Sequence, residues 1–454
     1  MNALFSLPEL PGDAHTVLRL QENLQRTVTL SGGQLTENTR KETRGVSALL
    51  LYNGKRGFAS TSDVSEAGVR LALSEAQQNL NALAPERSPV PPAEVRHFNY
   101  AALREDAAQA ALLELVREVD TRLQARCPSL TGRNVQLETL GTEKQVWTGE
   151  GRSASFLLPR TNLYLTLTAE DRNGRPVTIR DSIGGIGFAP QVIPDAAAAD
   201  ALADALYEDL MQKRDARPMD YGELPCILSG CTGILIHEAF GHIAEGDSGL
   251  EGSVLSGKLG QTLVSPLISA TDFANTAFGT AVPQPRFLDD EGTVCVDAPL
   301  LKDGVLAGYM HNRSTAAALG CENTGNAWAN RYSDLPVVRM RNTAIHPGSS
   351  TLEEMIASLD RGIFVKRTGG GQADQTGKFM FSVQCAYAIE HGRISHALPD
   401  LVCQGNSFRT LKEVTMVGNT LEWRHSSMCG KKGQVICVGM SGPALCTTAS
   451  FYGG

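Results

Sequence analysis

The sequence has no Cys-x-x-Cys pair, no lysine or arginine before Arg19 and no unbroken apolar run of membrane-spanning length. The first absence speaks against a zinc-ribbon or thioredoxin-type motif, so the 10 cysteines, scattered from Cys127 to Cys446, read as reduced and mostly buried thiols. Without a charged start, Met1 to Asp13 does not read as a signal peptide. The longest apolar stretch, Leu224 to Ile236, is broken by Pro225, Ser229, Gly230 and Gly233, so no membrane span is expected and the cytoplasm is the expected compartment. Positive charge is also not in excess: 41 Lys and Arg face 49 Asp and Glu, a net charge of −8, which argues against a broad phosphate-binding surface and against nucleic acid as a partner. What is present is ordinary globular usage, 42% apolar and 20% charged over 454 residues, enough for two or three domains at ~150 residues each.

Along the chain, Val17 to Thr61 reads as short strands with a hairpin at Asn53-Gly54. A helix follows, with Asp63 and Glu66 as a capping box and Ala67, Leu71, Ala76, Leu80 and Leu83 as its apolar stripe. Prolines between Pro85 and Pro92 form a stiff connector. A second helix is expected over Glu105–Arg126, strands over Val135–Leu140, Ala154–Leu158 and Leu163–Ala169, a hairpin at Asn173-Gly174, and a helix over Asp195–Asp215. The hairpin-then-helix order occurs twice and suggests a diverged repeat. After Tyr221 the texture is mainly β, with helices near Thr232–His242 and Leu352–Leu359, the latter opened by the capping box Thr351/Glu354 and closed before a left-handed Gly362. The whole is expected to be an α+β protein with regions 1–84 and 98–220 and a β-rich region 221–454.

The segment His237-Glu238-Ala239-Phe240-Gly241-His242 is similar to a zinc-peptidase signature with one extra residue between the histidines. Residues five apart on a regular α-helix stand about 140° apart around the axis, so both rings could face one ion only if the helix deforms. Gly241 is placed to permit a π-bulge or break, and Glu238 to act as a general base next to the ion. A third ligand must come from elsewhere in the chain.

Three segments together resemble the TldD/PmbA metallopeptidases, in the catalytic TldD-like branch: His237 to Asp247; Gly369-Gly370-Gly371-Gln372 running to Phe379; and Met428-Cys429-Gly430-Lys431. The resemblance implies zinc held by His237, His242 and Cys429, hydrolysis of small or unfolded polypeptides, and a dimer, either of two identical chains or with a PmbA-like subunit. A Cys/His/His set leaves a fourth tetrahedral position open. Ile243-Ala244 departs from the usual glycine-containing pair, and the tail after Gly433 is cysteine-rich; neither touches an implied ligand. The partner branch lacks the two-histidine motif. A different class of function, a peptide-binding scaffold subunit with a structural zinc, would fit the same ligands with a fourth one from the protein.

Gly377-Lys378 lacks the upstream glycine and the following Ser or Thr of a P-loop, and Gly439-Met440-Ser441-Gly442 lacks a spacer of a nucleophile elbow. Gly369, Gly370, Gly371 and Gln372 suit a peptide docked as an added strand. Asp289-Asp290-Glu291, followed by Gly292, reads as an exposed turn. His311 and Arg331 are candidate oxyanion stabilisers.

Overall fold

The computed structural model describes residues 8–86, 94–425 and 427–453; residues 87–92 of the expected proline connector lie outside the described residues. Very long strands dominate the first half: β1 (His15–Ser31), β2 (Gln34–Tyr52), β3 (Lys55–Thr61), β4 (His97–Ala101), β5 (Gly132–Thr148), β6 (Ser153–Glu170) and β7 (Pro176–Ile186). They form one seven-stranded sheet in the order β3-β2-β1-β5-β6-β4, with β7 also paired to β6. Residues on both sides of the proline connector therefore share a sheet. The two strand segments expected within 154–169 are one continuous strand running through Pro159.

Asn53 and Gly54 both take positive φ, 45° and 77°, the conformation a two-residue hairpin needs. The helix after it, α1 (Glu66–Asn81), is capped by Ser65, whose hydroxyl accepts from the Gly68 N–H at 3.3 Å; Asp63 instead accepts from the Ser65 N–H, so the expected Asp63/Glu66 box does not form. Its buried stripe is Val69, Ala72, Leu73, Ala76 and Leu80, while Leu71 and Leu83 face solvent. Helix α2 (Gln109–Arg126) starts four residues later than expected, because Arg26 bonds to Asp106 and to the Ala107 carbonyl and keeps that segment extended. Helix α3 (Asp200–Arg214) is led in by a tight turn, Ala196–Ala199, that Asp195 caps.

The sheet has two distinct faces. Leu18, Leu20, Val28, Leu30, Leu163, Leu165 and Leu167 are buried in the cores that hold the helices. Residues of the opposite parity, including Arg19 and Gln21, reach across to residues 290 and 330 of the second half. One of the cores is shared, since Phe364, Tyr387, Ile389 and Cys446 pack with α2, α3 and β5–β7.

The second half contains β8 (Gly222–Leu228), helix α4 (Thr232–Ile236), β9 (Arg361–Ala373), β10 (Lys378–Glu390), β11 (Arg393–Leu398), β12 (Leu401–Asn406), β13 (Met428–Lys431), β14 (Gln434–Cys437) and β15 (Leu445–Gly453). A sheet in the order β9-β8-β15-β12-β10-β11, with β9 also paired to β10, closes five of these strands into a ring. A second sheet of five strands uses Val305–Leu306, Ala298–Lys302, Ala270–Asp272, Asn342–Ile345 and Gly439–Ser441. Short helices beyond the two expected occur at Gly246–Leu250, Arg313–Leu319 and Ser407–Lys412. The helix over Leu352–Ala357 carries the Thr351/Glu354 box, but Gly362 does not end it: Gly362 lies inside β9, where an added Cβ would meet the Pro225 carbonyl at 2.7 Å. No described helix is long and apolar enough to cross a membrane.

Asp289, Asp290 and Glu291 are not an exposed turn. Gly292 does turn the chain, at φ 68°, but all three acids are at most 1% exposed. Asp290 bonds to Arg19 at 2.9 Å and to Lys144 at 2.8 Å, both from the long sheet. Asp289 accepts from the backbone N–H groups of Glu291, Thr293 and Ala327, and Glu291 from Asn312 and the Arg313 N–H. Lys144 and Arg286 both lie over the Trp328 ring, 3.3 and 3.8 Å from its centre. This buried cluster joins the two halves.

Candidate metal centre

Helix α4 is short, and the chain continues from it into a π-turn over His237–Gly241, closed by the His242 N–H donating to the His237 carbonyl. The wider turn brings residues five apart onto one side, which a regular α-helix would not. Gly241 also allows close packing, since an added Cβ would stand 2.2 Å from the Met340 sulfur. Cys429 arrives on the β13–β14 hairpin, nearly two hundred residues later in the chain. Arg339 holds that hairpin by donating to the Cys429 and Gln434 carbonyls.

One ligand atom each from His237, His242 and Cys429 falls within 4.8 Å of the others. The two imidazole rings lie edge to face with centres 5.3 Å apart, and the Cys429 sulfur is 3.4 Å from His242 Nε2. His237 is fully buried, yet neither of its ring nitrogens has a hydrogen-bond partner. A buried polar atom without a partner is costly, so this ring is prepared for something other than a protein hydrogen bond. Burial first, then the His242 and Arg339 charges, hold its pKa well below the usual value, leaving the neutral ring that a metal requires. The donor set and the orphaned ring fit zinc.

Glu238 stands beside both rings, 3.9 Å from His237 Nε2 and 3.8 Å from His242 Nε2. Its pKa is raised, first by burial and then by the Glu245 carboxylate, with His242 opposing. Reasoning from the sequence assigned no role to Glu245, although its position three residues after His242 is a readable signal. Its buried carboxylate is 3.3 Å from His242 Nδ1 and 2.7 Å from Lys431 Nζ, and Lys431 also binds Asp247 and the Val338 carbonyl. Burial alone would lower the His242 pKa, but Glu245 and Cys429 drive it well upward. The carboxylate fixes the ring so that Nε2 faces Cys429.

Gly369 to Gln372 lie on β9 at a bulge opposite β10, and the β8 partners of β9 reach only Ile363–Val365. Gly370, Gly371 and Gln372 are exposed. Neither oxyanion candidate contacts the triad through a described bond: His311 is buried against Thr315, and Arg331 is exposed in the turn whose carbonyls bind Arg19.

Comparisons with known proteins identify the family. The PmbA/TldA metallopeptidase C-terminal domain matches residues 222–437, and domain 1 of the same family matches 17–80. A metalloprotease TldD homologue from Haemophilus influenzae is 30% identical over 445 residues, covering 94% of this chain and 90% of the relative. The chain belongs to the TldD/PmbA metallopeptidase family. Another TldD/PmbA relative, described as a zinc metalloprotease TldD homologue from Saccharolobus solfataricus, is 32% identical over 229 residues, about half of each chain. The solved structure of TldE from Thermococcus kodakarensis shares the fold, with a TM-score of 0.76 at 16% identity over 97% of both chains.

Proposed function

We propose that this chain is a zinc-dependent peptidase acting on small or unfolded polypeptides, with His237, His242 and Cys429 as ligands and Glu238 as the acid–base group. The observation that carries this reading is the convergence of three ligand atoms around the unpartnered His237 ring, with Glu238 beside them. Zinc supplies a Lewis acid that polarises the scissile carbonyl and makes water more acidic. Glu238 takes the proton from the attacking water as its oxygen bonds to the carbonyl carbon, then passes it to the nitrogen as the C–N bond breaks. Its raised pKa suits both roles. Glu245 and Lys431 keep His242 in its binding orientation.

The open edge at Gly369–Gln372 supports docking of the substrate main chain as a strand, which favours unstructured chains over folded ones. The fold shared with TldE supports pairing with a PmbA-like subunit, and a cytoplasmic location accords with the sequence. Among the described residues the ligand group has three members, which favours a catalytic over a closed structural site. Metal analysis should find about one zinc per chain, lost from His237→Ala and Cys429→Ser. Glu238→Gln should keep the metal yet cleave an unstructured peptide at least ~10²-fold more slowly. Full zinc in Cys429→Ser, or undiminished cleavage by Glu238→Gln, would overturn the reading.

A further inference from the structure

The β13–β14 hairpin that delivers Cys429 belongs to neither large sheet. Cys429 and Ile436 face the core, whereas Met428 and Val435, 49% and 50% exposed, face outward. A two-stranded hairpin of this kind is not held by its own ladder, so its position depends on side chains that reach it from elsewhere.

Arg339 is such a side chain. It is fully buried, and it donates from Nη2 to the Cys429 carbonyl at 2.5 Å and from Nη1 to the Gln434 carbonyl at 3.2 Å. Cys429 lies on one strand of the hairpin and Gln434 on the other, so a single planar fork spans both. Among the described residues no carboxylate pairs with Arg339, and its Nε has no hydrogen-bond partner. Arg19 and Arg341, also buried, each meet an aspartate. Burying a guanidinium against neutral carbonyls alone is less favourable than filling the same space with an apolar side chain. Packing therefore does not account for an arginine here, whereas the two carbonyls it holds do.

The main chain of Arg339 is itself fixed. Its N–H donates to the Asn326 carbonyl, Asn326 Nδ2 donates back to the Arg339 carbonyl, both at 2.9 Å, and the same amide reaches Asp272 at 2.8 Å. The flanking residues touch the rest of the metal centre. The Val338 carbonyl accepts from Lys431 Nζ at 3.0 Å, and the Met340 sulfur packs against Gly241 of the π-turn, where an added Cβ would stand 2.2 Å from it. Residues 338–340 thus bridge the two elements that carry His237, His242 and Cys429.

We infer that Arg339 is a positioning residue for the third ligand: its fork sets the β13–β14 hairpin against the π-turn so that the Cys429 sulfur stands beside the two imidazole rings. The sulfur is 3.4 Å from His242 Nε2, a placement that a shift of about 1 Å in the hairpin would spoil. The inference rests on the reading of His237, His242 and Cys429 as zinc ligands and adds the residue that holds one of them in place.

The test reads the metal–sulfur bond directly. Full-length wild type, Arg339→Gln, Arg339→Lys and Cys429→Ser are loaded with cobalt(II), whose thiolate-to-metal charge-transfer absorption reports the Cys429 bond. Zinc affinity is measured alongside by competition with a chromophoric chelator. Arg339→Gln should bind zinc about 10- to 100-fold more weakly, and Arg339→Lys, which keeps the charge without the fork, should recover part of that loss. The charge-transfer absorption per bound cobalt should weaken in the same order, while chelator-treated Arg339→Lys melts close to the wild type. If Arg339→Gln does not fold, Arg339→Lys decides the matter by the same two readouts. Wild-type zinc affinity with an undiminished band in the folded variants, a lowered melting temperature with an unchanged band, or failure of both variants to fold would overturn the inference. Cys429→Ser should lack the band altogether. Its persistence there would overturn the ligand set, whereas its loss there together with full retention in the Arg339 variants would overturn the role of Arg339 alone, so the two readings fail separately.

Discussion

Two buried polar clusters in this molecule look alike in composition and differ in completeness. At the junction, Asp289, Asp290 and Glu291 find their partners within the chain: Arg19 and Lys144 for one acid, backbone N–H groups or Asn312 for the others. At the metal centre the fully buried His237 ring has no protein partner for either nitrogen, and Glu238 stands 3.8 Å or more from both rings. The three junction acids are satisfied within the chain and join its two halves, whereas the His237 ring has both nitrogens open to a group from outside.

The contrast is most strongly tested at Asp290. Asp290→Ala strands Lys144 and Arg19 as buried unpaired charges, so it should cost about 3–5 kcal/mol of stability, read as a shift of the denaturant midpoint. A loss under ~1 kcal/mol would mean that the junction is not held by this pairing. The metal centre should respond in the opposite sense. Zinc at a hundredfold over its dissociation constant should stabilise the wild type by about 2.7 kcal/mol. His237→Leu should lose that increment yet be no less stable than the wild type when both are metal-free, because it deletes unsatisfied atoms. A metal-free His237→Leu that melts well below the wild type would show the ring to be structural.

Acidity separates the clusters further. Burial, with Glu291 adding to it, pushes the Asp289 pKa up to about 7. A carboxyl raised above its unfolded value contributes stability that is full below pH ~4 and is lost as pH rises to about 7. Wild-type and Asp289→Asn proteins, both with chelator, should therefore differ in melting temperature in a pH-dependent way, the wild type losing ground between pH 4 and 7. A constant difference across that range would remove this assignment. The smallest effect is expected away from both clusters: Ser65→Ala deletes the α1 cap, should cost about 1 kcal/mol, and should leave zinc content unchanged.

Several features were readable in the sequence because their causes are local. Asn53-Gly54 takes left-handed geometry in a tight hairpin, Cys127-Pro128 ends α2, and Thr351 with Glu354 opens a helix. The spacing of His237 and His242 by itself required a deformed helix, and the π-turn is that deformation. Capping at Ser65 instead of Asp63 is a choice between two adjacent local candidates, whereas Gly362 packs closely against the Pro225 carbonyl, a distant neighbour that local pattern does not show.

The sequence by itself determined the turns, most helix positions, the α+β character and the residue types at the candidate metal centre, since these follow from short-range sterics, hydrogen bonding and the chemistry of imidazole, thiol and carboxylate. Only the tertiary structure decided which distant groups meet. Cys429 meets His242, and Asp290 meets Lys144, across more than a hundred residues of sequence. Burial decides what such meetings are worth: the same acids are an ordinary turn in water and a clamp when desolvated, because the worth of a charge is set by what replaces its water.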